Sequence, residues 1–123
     1  MSTLTVRPLS HDDEDEWRRL WTLYLRYYES SVEELVYTTT FARLLSGNDN
    51  EFCGLIAELD GRAVGLTHYL FHRHCWRVGN VCYLQDLVVE TEVRGQSIGR
   101  ALIEAGRRVY DRVGELTPFI RYD

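Results

Sequence analysis

Residues 93–105 read V-R-G-Q-S-I-G-R-A-L-I-E-A, a charged turn with two glycines set between an apolar run and an amphipathic one. The preceding run, residues 81–89, is apolar and reads as a buried strand. Beyond the turn Ile98, Leu102, Ala105 and Val109 recur at helical spacing, so the chain passes from a strand directly into a helix. The first amides of such a helix have no intrahelical partner. They converge with the positive end of the helix dipole and the guanidiniums of Arg94 and Arg100, which predicts a diphosphate cradle. Gly95 and Gly99 let the backbone come close to a ligand where a side chain would block it.

Two common phosphate loops do not fit. A P-loop requires a lysine, and all fourteen basic residues here are arginine. A dinucleotide-binding turn follows the first strand of its domain and precedes an acidic residue at the end of the next, whereas this turn comes late in the chain. The segment instead resembles the acetyl-CoA loop of the GNAT superfamily of N-acetyltransferases, R/Q-x-x-G-x-G/A. Arg94, Ser97 and Gly99 stand at its three marked positions, with serine in place of the first glycine. The preceding Y-L-Q-D-L-V-V, residues 83–89, is similar to that family's central strand.

The resemblance extends over most of the chain. Residues 4–8 read as a first strand, 12–28 as a first helix, 52–59 and 62–73 as a hairpin, and 81–105 as the cofactor strand, loop and helix. The implied fold class is α/β of the α+β type: a mostly antiparallel sheet flanked by helices, here expected to lack the usual fifth strand. By the same resemblance, Leu87, Val88 and Val89 are expected to hold the pantetheine arm of acetyl-CoA as if it were an added strand. The loop Arg94, Gly95, Gln96, Ser97, Ile98, Gly99 and Arg100 is expected to take the diphosphate.

At 123 residues the chain supports one hydrophobic core and is read as a single domain, residues 1–123. Its longest apolar run is too short to span a bilayer, and residues after Met1 do not follow a signal-peptide pattern. Cys53, Cys75 and Cys82 form no C-x-x-C and cannot all pair, which favours a reducing cytoplasm and small core or near-core roles for all three. The net charge of −5 and the lack of a basic stripe argue against a nucleic acid partner.

Ser10 and Asp13 form a possible capping box, and Trp17, Leu20, Trp21, Tyr24 and Tyr28 then mark one face of a helix. That stripe is read as packing on a sheet. In GNAT proteins this helix and the next border the acceptor site, so Tyr24, Tyr27, Tyr28, Glu29, Tyr37 or Phe41 could also touch substrate. Asp60-Gly61 between two β-rich runs predicts a hairpin turn with positive φ at both positions. His68, His72 and His74 share a strand face, but positions four apart on a strand are roughly 13 Å apart, too far to share one ion. They are read as polar or half-buried histidines, and no metal is expected.

Acetyl transfer to an amine needs a held thioester, a neutral amine and a proton donor for the departing thiolate. Asp86 is the candidate base, because it interrupts an otherwise apolar central strand; it could equally fix a neighbouring loop through hydrogen bonds. For the acid, the family uses a tyrosine on the helix after the fifth strand. Tyr110, in V-Y-D-R-V-G, resembles that environment, as if the fifth strand had been excised from within the chain. The expected activity is transfer from acetyl-CoA to a primary amine of a small molecule, of polyamine or amino acid type. The alternative is a CoA-binding but catalytically impaired remnant or an interaction module. One long helix over residues 98–115 and a terminal strand over 119–122 would leave the cofactor strand's far edge open. That predicts a homodimer, with the C-terminal element packed across the axis or exchanged.

Overall fold

The computed structural model describes residues 3–93, 95–112 and 119–121, residues 109–112 and 119–121 as backbone. β1 (Leu4–Pro8) leads through a 3-10 turn into α1 (Glu14–Tyr27), then α2 (Glu34–Leu44). The hairpin β2 (Cys53–Leu59) and β3 (Arg62–His72) follows, then β4 (Val81–Val89), α3 (Ile98–Arg112) and β5 (Phe119–Arg121). The sheet order is β1-β2-β3-β4-β5. The first four strands are antiparallel and β5 lies parallel to β4.

Local chemistry accounts for the boundaries. The Ser10 amide and hydroxyl both donate to the Asp13 carboxylate, the backbone amide at 2.8 Å, which closes the predicted capping box. Arg7 holds the same carboxylate through two bonds of 2.7 and 2.8 Å, tying β1 to the helix start. Asp60 and Gly61 have φ of 53° and 82°, as a two-residue hairpin turn of this hand requires.

The sheet buries both faces. Trp17, Leu20, Phe41 and Leu44 of α1 and α2 pack with Ile56, Leu66 and Val88 on one side. Ile98, Leu102 and Ala105 of α3 pack with Leu55, Ala57, Val64 and Cys82 on the other. Cys82 and Val88 have the same parity yet face opposite layers, because the β3–β4 register slips between His68/Tyr69 and leaves Gln85 as the extra residue. The bulge sets the second half of β4 apart from the first. Pairing with β5 covers Cys82, Tyr83 and Leu84, ahead of the bulge.

This arrangement corrects three expectations. The segment after α3 is a fifth strand, and it occupies the edge of β4 that was expected to stay open. The α3 helix is thus the crossover that a parallel pair needs, and the strand was not excised. Over Cys82, Tyr83 and Leu84 the open-edge reason for a dimer is removed. The described part of α3 ends at Arg112, and residues 113–118 lie outside the described residues. Among the cysteines, Cys82 is buried and Cys53 half-buried, but Cys75 is exposed. No described helix is long and apolar enough to cross a membrane.

Candidate active site

Where β4 ends and α3 begins, a cleft of about 550 Å³ opens between the strand, the turn and the C-terminal end of α1. It is lined by Leu87, Val88, Val89 and Val93 of the strand and the turn after it, by Gly95, Ser97, Ile98 and Gly99 at the start of α3, and by a tyrosine wall of Tyr24, Tyr27 and Tyr28. Seven of the residues expected to hold the cofactor therefore converge. Gln96 and Arg100 are exposed on the same turn but do not line the cleft, and Arg94 lies outside the described residues.

The two glycines of the turn serve different needs. Gly95 has φ of 90°, a left-handed backbone that only glycine adopts without strain. Gly99 is helical, and a Cβ built on it would meet Leu87 and Val89 at an ordinary 3.9 Å. Nothing in the protein demands a glycine there, although glycine disfavours a helix by up to about 1 kcal/mol relative to alanine. The vacant Cβ position borders the cleft, which fits close approach of a ligand to the first turn of α3. Ser97, which caps that turn by accepting from the Ala101 amide at 3.0 Å, has φ of 61° and carries the strain of a side chain in a left-handed conformation. The residues present therefore fit an acetyl-CoA diphosphate and pantetheine arm.

Behind the tyrosine wall lies a buried chain of polar groups. The Trp17 indole N–H donates to His68 Nε2 at 2.9 Å, and His68 Nδ1 meets Asp86 Oδ2 at 2.7 Å. An indole nitrogen can only donate, so His68 Nε2 must accept and its proton sits on Nδ1, pointed at the carboxylate. Trp17, His68 and Asp86 are 0%, 3% and 7% exposed. Asp86 is held rigidly but does not itself line the cleft. Tyr24, which lines the cleft, has its pKa raised above the ordinary tyrosine range by burial and then by the Asp86 charge.

Of the other residues expected near an acceptor, Tyr37 meets Trp17 edge-on and Phe41 packs tilted against it, and the Tyr37 hydroxyl meets Thr22 Oγ1 at 2.6 Å. The exposed Glu29, with φ of 53°, closes the end of α1 by donating its amide to the Arg26 carbonyl. Tyr110 lies on α3, ahead of β5, whereas the family's acid follows the fifth strand. The positional reason for assigning it that role fails, and its side chain lies outside the described residues. Among the described residues no three His, Cys, Asp or Glu side chains gather as a metal site. His72 contacts the Arg73 carbonyl and His74 accepts from the Trp76 amide.

Sequence reasoning gave no role to Glu90. Its buried carboxylate takes Arg19 from α1 and Arg62 from β3, the latter at 3.0 Å, and its amide donates to the Val64 carbonyl. It thereby fixes the end of β4 just before the phosphate turn. An acidic residue closing the apolar run Leu87–Val89 was the available signal.

Residues 17–116 match the family model described as the acetyltransferase (GNAT) family, and the chain belongs to that family. It is 35% identical over 119 residues to the D-amino-acid N-acetyltransferase HPA3 of Saccharomyces cerevisiae, covering 95% of this chain and 72% of that protein. Its fold is similar to that of the aminoglycoside acetyltransferase AAC(6')-Iy in complex with a CoA bisubstrate analogue, with TM-score 0.84, 16% identity and 98% and 80% of the two chains covered. A possible acetyltransferase from Clostridium difficile 630 aligns with TM-score 0.81 at 19% identity, over 98% and 79% of the chains.

Proposed function

We propose that this protein transfers the acetyl group of acetyl-CoA to the primary amine of a small amino-acid-type acceptor. The observation that carries the reading is the glycine-lined cleft running from Leu87–Val89 to the first turn of α3, with room at Gly99 that the protein leaves unfilled. Likeness to a D-amino-acid N-acetyltransferase over 95% of the chain supports the acceptor class. Acetyl-CoA supplies an activated acyl thioester. The protein's part is to hold and orient: the amides of Gly95–Gly99 face the diphosphate, and the Leu87–Val89 strand aligns the arm. Fixing a thioester against an amine supplies much of the rate enhancement by proximity alone. Asp86, its carboxylate oriented by His68 behind the residues that line the cleft, is the group we assign to receive the amine's proton.

Thiol release from acetyl-CoA, followed across D- and L-amino acids and polyamines, tests the reading. Turnover with D-amino acids above that with polyamines is expected. Turnover with polyamines alone overturns the acceptor class, and tight CoA binding without turnover on any amine identifies the impaired remnant instead.

A further inference from the structure

Trp17, His68 and Asp86 form a buried, hydrogen-bonded line from α1 through β3 to β4. We propose that Trp17 is a positioning residue for acetyl transfer: its indole N–H keeps His68 uncharged, so that Asp86 is oriented by a neutral imidazole rather than tied up in an ion pair. The inference rests on the acetyl-transfer reading above, in which Asp86 receives the amine's proton, and gives α1 a part in the chemistry that packing alone does not require.

Three observations carry it. His68 and Asp86 stand directly opposite each other in the β3–β4 register, beside the bulge. The Thr67 hydroxyl donates to the Asp86 carbonyl at 2.8 Å, so β3 holds the backbone of Asp86 as well as its carboxylate. An Asp–His pair that works directly on a substrate leaves its outer ring nitrogen open to the reacting group. Here that nitrogen, Nε2, is closed by the Trp17 N–H at 2.9 Å, so His68 can neither take a proton from the cleft nor carry a second one while the indole donates. The neighbouring indole supplies a contrast. Trp21 stacks on Trp17 with ring centroids 5.2 Å apart and lies 5.9 Å from the His68 ring, yet among the described residues its N–H has no partner. Besides His68 from β3, the titratable group that feels the Asp86 charge is Tyr24 on α1.

In the transfer the amine nitrogen forms the new N–C bond, and the C–S bond of the thioester breaks with its electron pair on sulfur. The proton that the nitrogen sheds ends on Asp86 and then neutralises the thiolate, leaving the carboxylate as it began. A carboxylate paired with an imidazolium accepts that proton less readily, because a neighbouring opposite charge favours its ionised form. A neutral imidazole donating from Nδ1 orients the carboxylate without that penalty.

Nuclear magnetic resonance of the imidazole nitrogens in 15N-histidine-labelled protein, with the His68 signals assigned by their loss in His68→Gln, reads this charge state without substrate. Wild type is expected to show His68 protonated at Nδ1 alone at neutral pH. Trp17→Phe removes the donor and should leave both ring nitrogens protonated. Its kcat should fall roughly tenfold, less than the full general acid–base contribution because the carboxylate is kept, with CoA affinity by calorimetry within about twofold of wild type. The deficit should close as pH rises and the extra proton leaves His68 in the same variant. Trp21→Phe makes the same ring change on an indole with no partner among the described residues, and should leave the His68 signals unchanged and kcat within about twofold of wild type. A doubly protonated His68 in wild type, an unchanged His68 in Trp17→Phe, or equal kcat losses in the two tryptophan variants overturns the positioning role while leaving the transferase reading intact. A wild-type protein that acetylates no amine overturns both.

Discussion

Replacing Gly99 by alanine separates binding from folding at a single atom. The added methyl meets only ordinary contacts inside the protein, so the helix should gain up to about 1 kcal/mol of stability by chemical denaturation. The same methyl stands where a ligand would approach, and CoA affinity should fall. Reduced stability with unchanged affinity would show that the glycine serves packing. Ser97→Gly relieves the strained φ of 61° and should stabilise the protein by up to about 1 kcal/mol, glycine's greater unfolded freedom offsetting part of the gain. No change in denaturation midpoint would refute the strain. Gly95 was legible in the sequence, because a position that needs positive φ favours glycine, whereas Ser97 takes a similar conformation with no glycine to announce it. Tyr24, by contrast, could be read only as one aromatic on a helix stripe, since nothing local marks which tyrosine of that stripe lines the cleft.

At the scale of elements, β1 and α1 are joined by a charge pair whose pH dependence has a definite sign. Hydrogen bonds from Arg7, outweighing burial, and then the Ser10 amide lower the Asp13 pKa from 3.8 to about 2. A carboxylate depressed on folding contributes stability above its unfolded pKa and loses it as pH falls through the folded one. Asp13→Asn should therefore cost about 2 kcal/mol at pH 7, and the gap from wild type should close between about pH 4 and pH 2. Urea midpoints at both ends of that window check it, and a constant gap would contradict it. Glu90→Ala removes the partner of Arg19 and Arg62 together, but both arginines reach solvent, so the expected loss is about 1–3 kcal/mol. A loss below about 0.5 kcal/mol, the ordinary surface range, would make the cluster incidental. Strand and hairpin limits were legible because the Asp60-Gly61 turn and the β-rich runs agree locally. The bulge at Gln85 was not, because it arises from how β3 and β4 pair, and no glycine or proline announces it.

On the scale of the whole molecule, the sheet separates two layers, and the cleft lies where β4 leaves β5 behind and α3 turns back across the opposite face. The terminal strand shows what sequence reading could not resolve. Phe119–Arg121 has the same short apolar signature whichever edge it joins, and only the crossover through α3 assigns it to β4. That placement covers the first half of the edge from which self-association was expected, and it puts Tyr110 ahead of the fifth strand. The cofactor loop, by contrast, was readable because its chemistry is contiguous in the chain. Calorimetric titration of CoA into wild type and Gly99→Ala, under the same buffer and salt, tests the central claim that this cleft holds the cofactor. Saturable one-to-one binding in wild type, weakened at least about tenfold in the variant and thus by some 1.4 kcal/mol, is the predicted result. No binding to wild type, or equal affinity in both proteins, would contradict it.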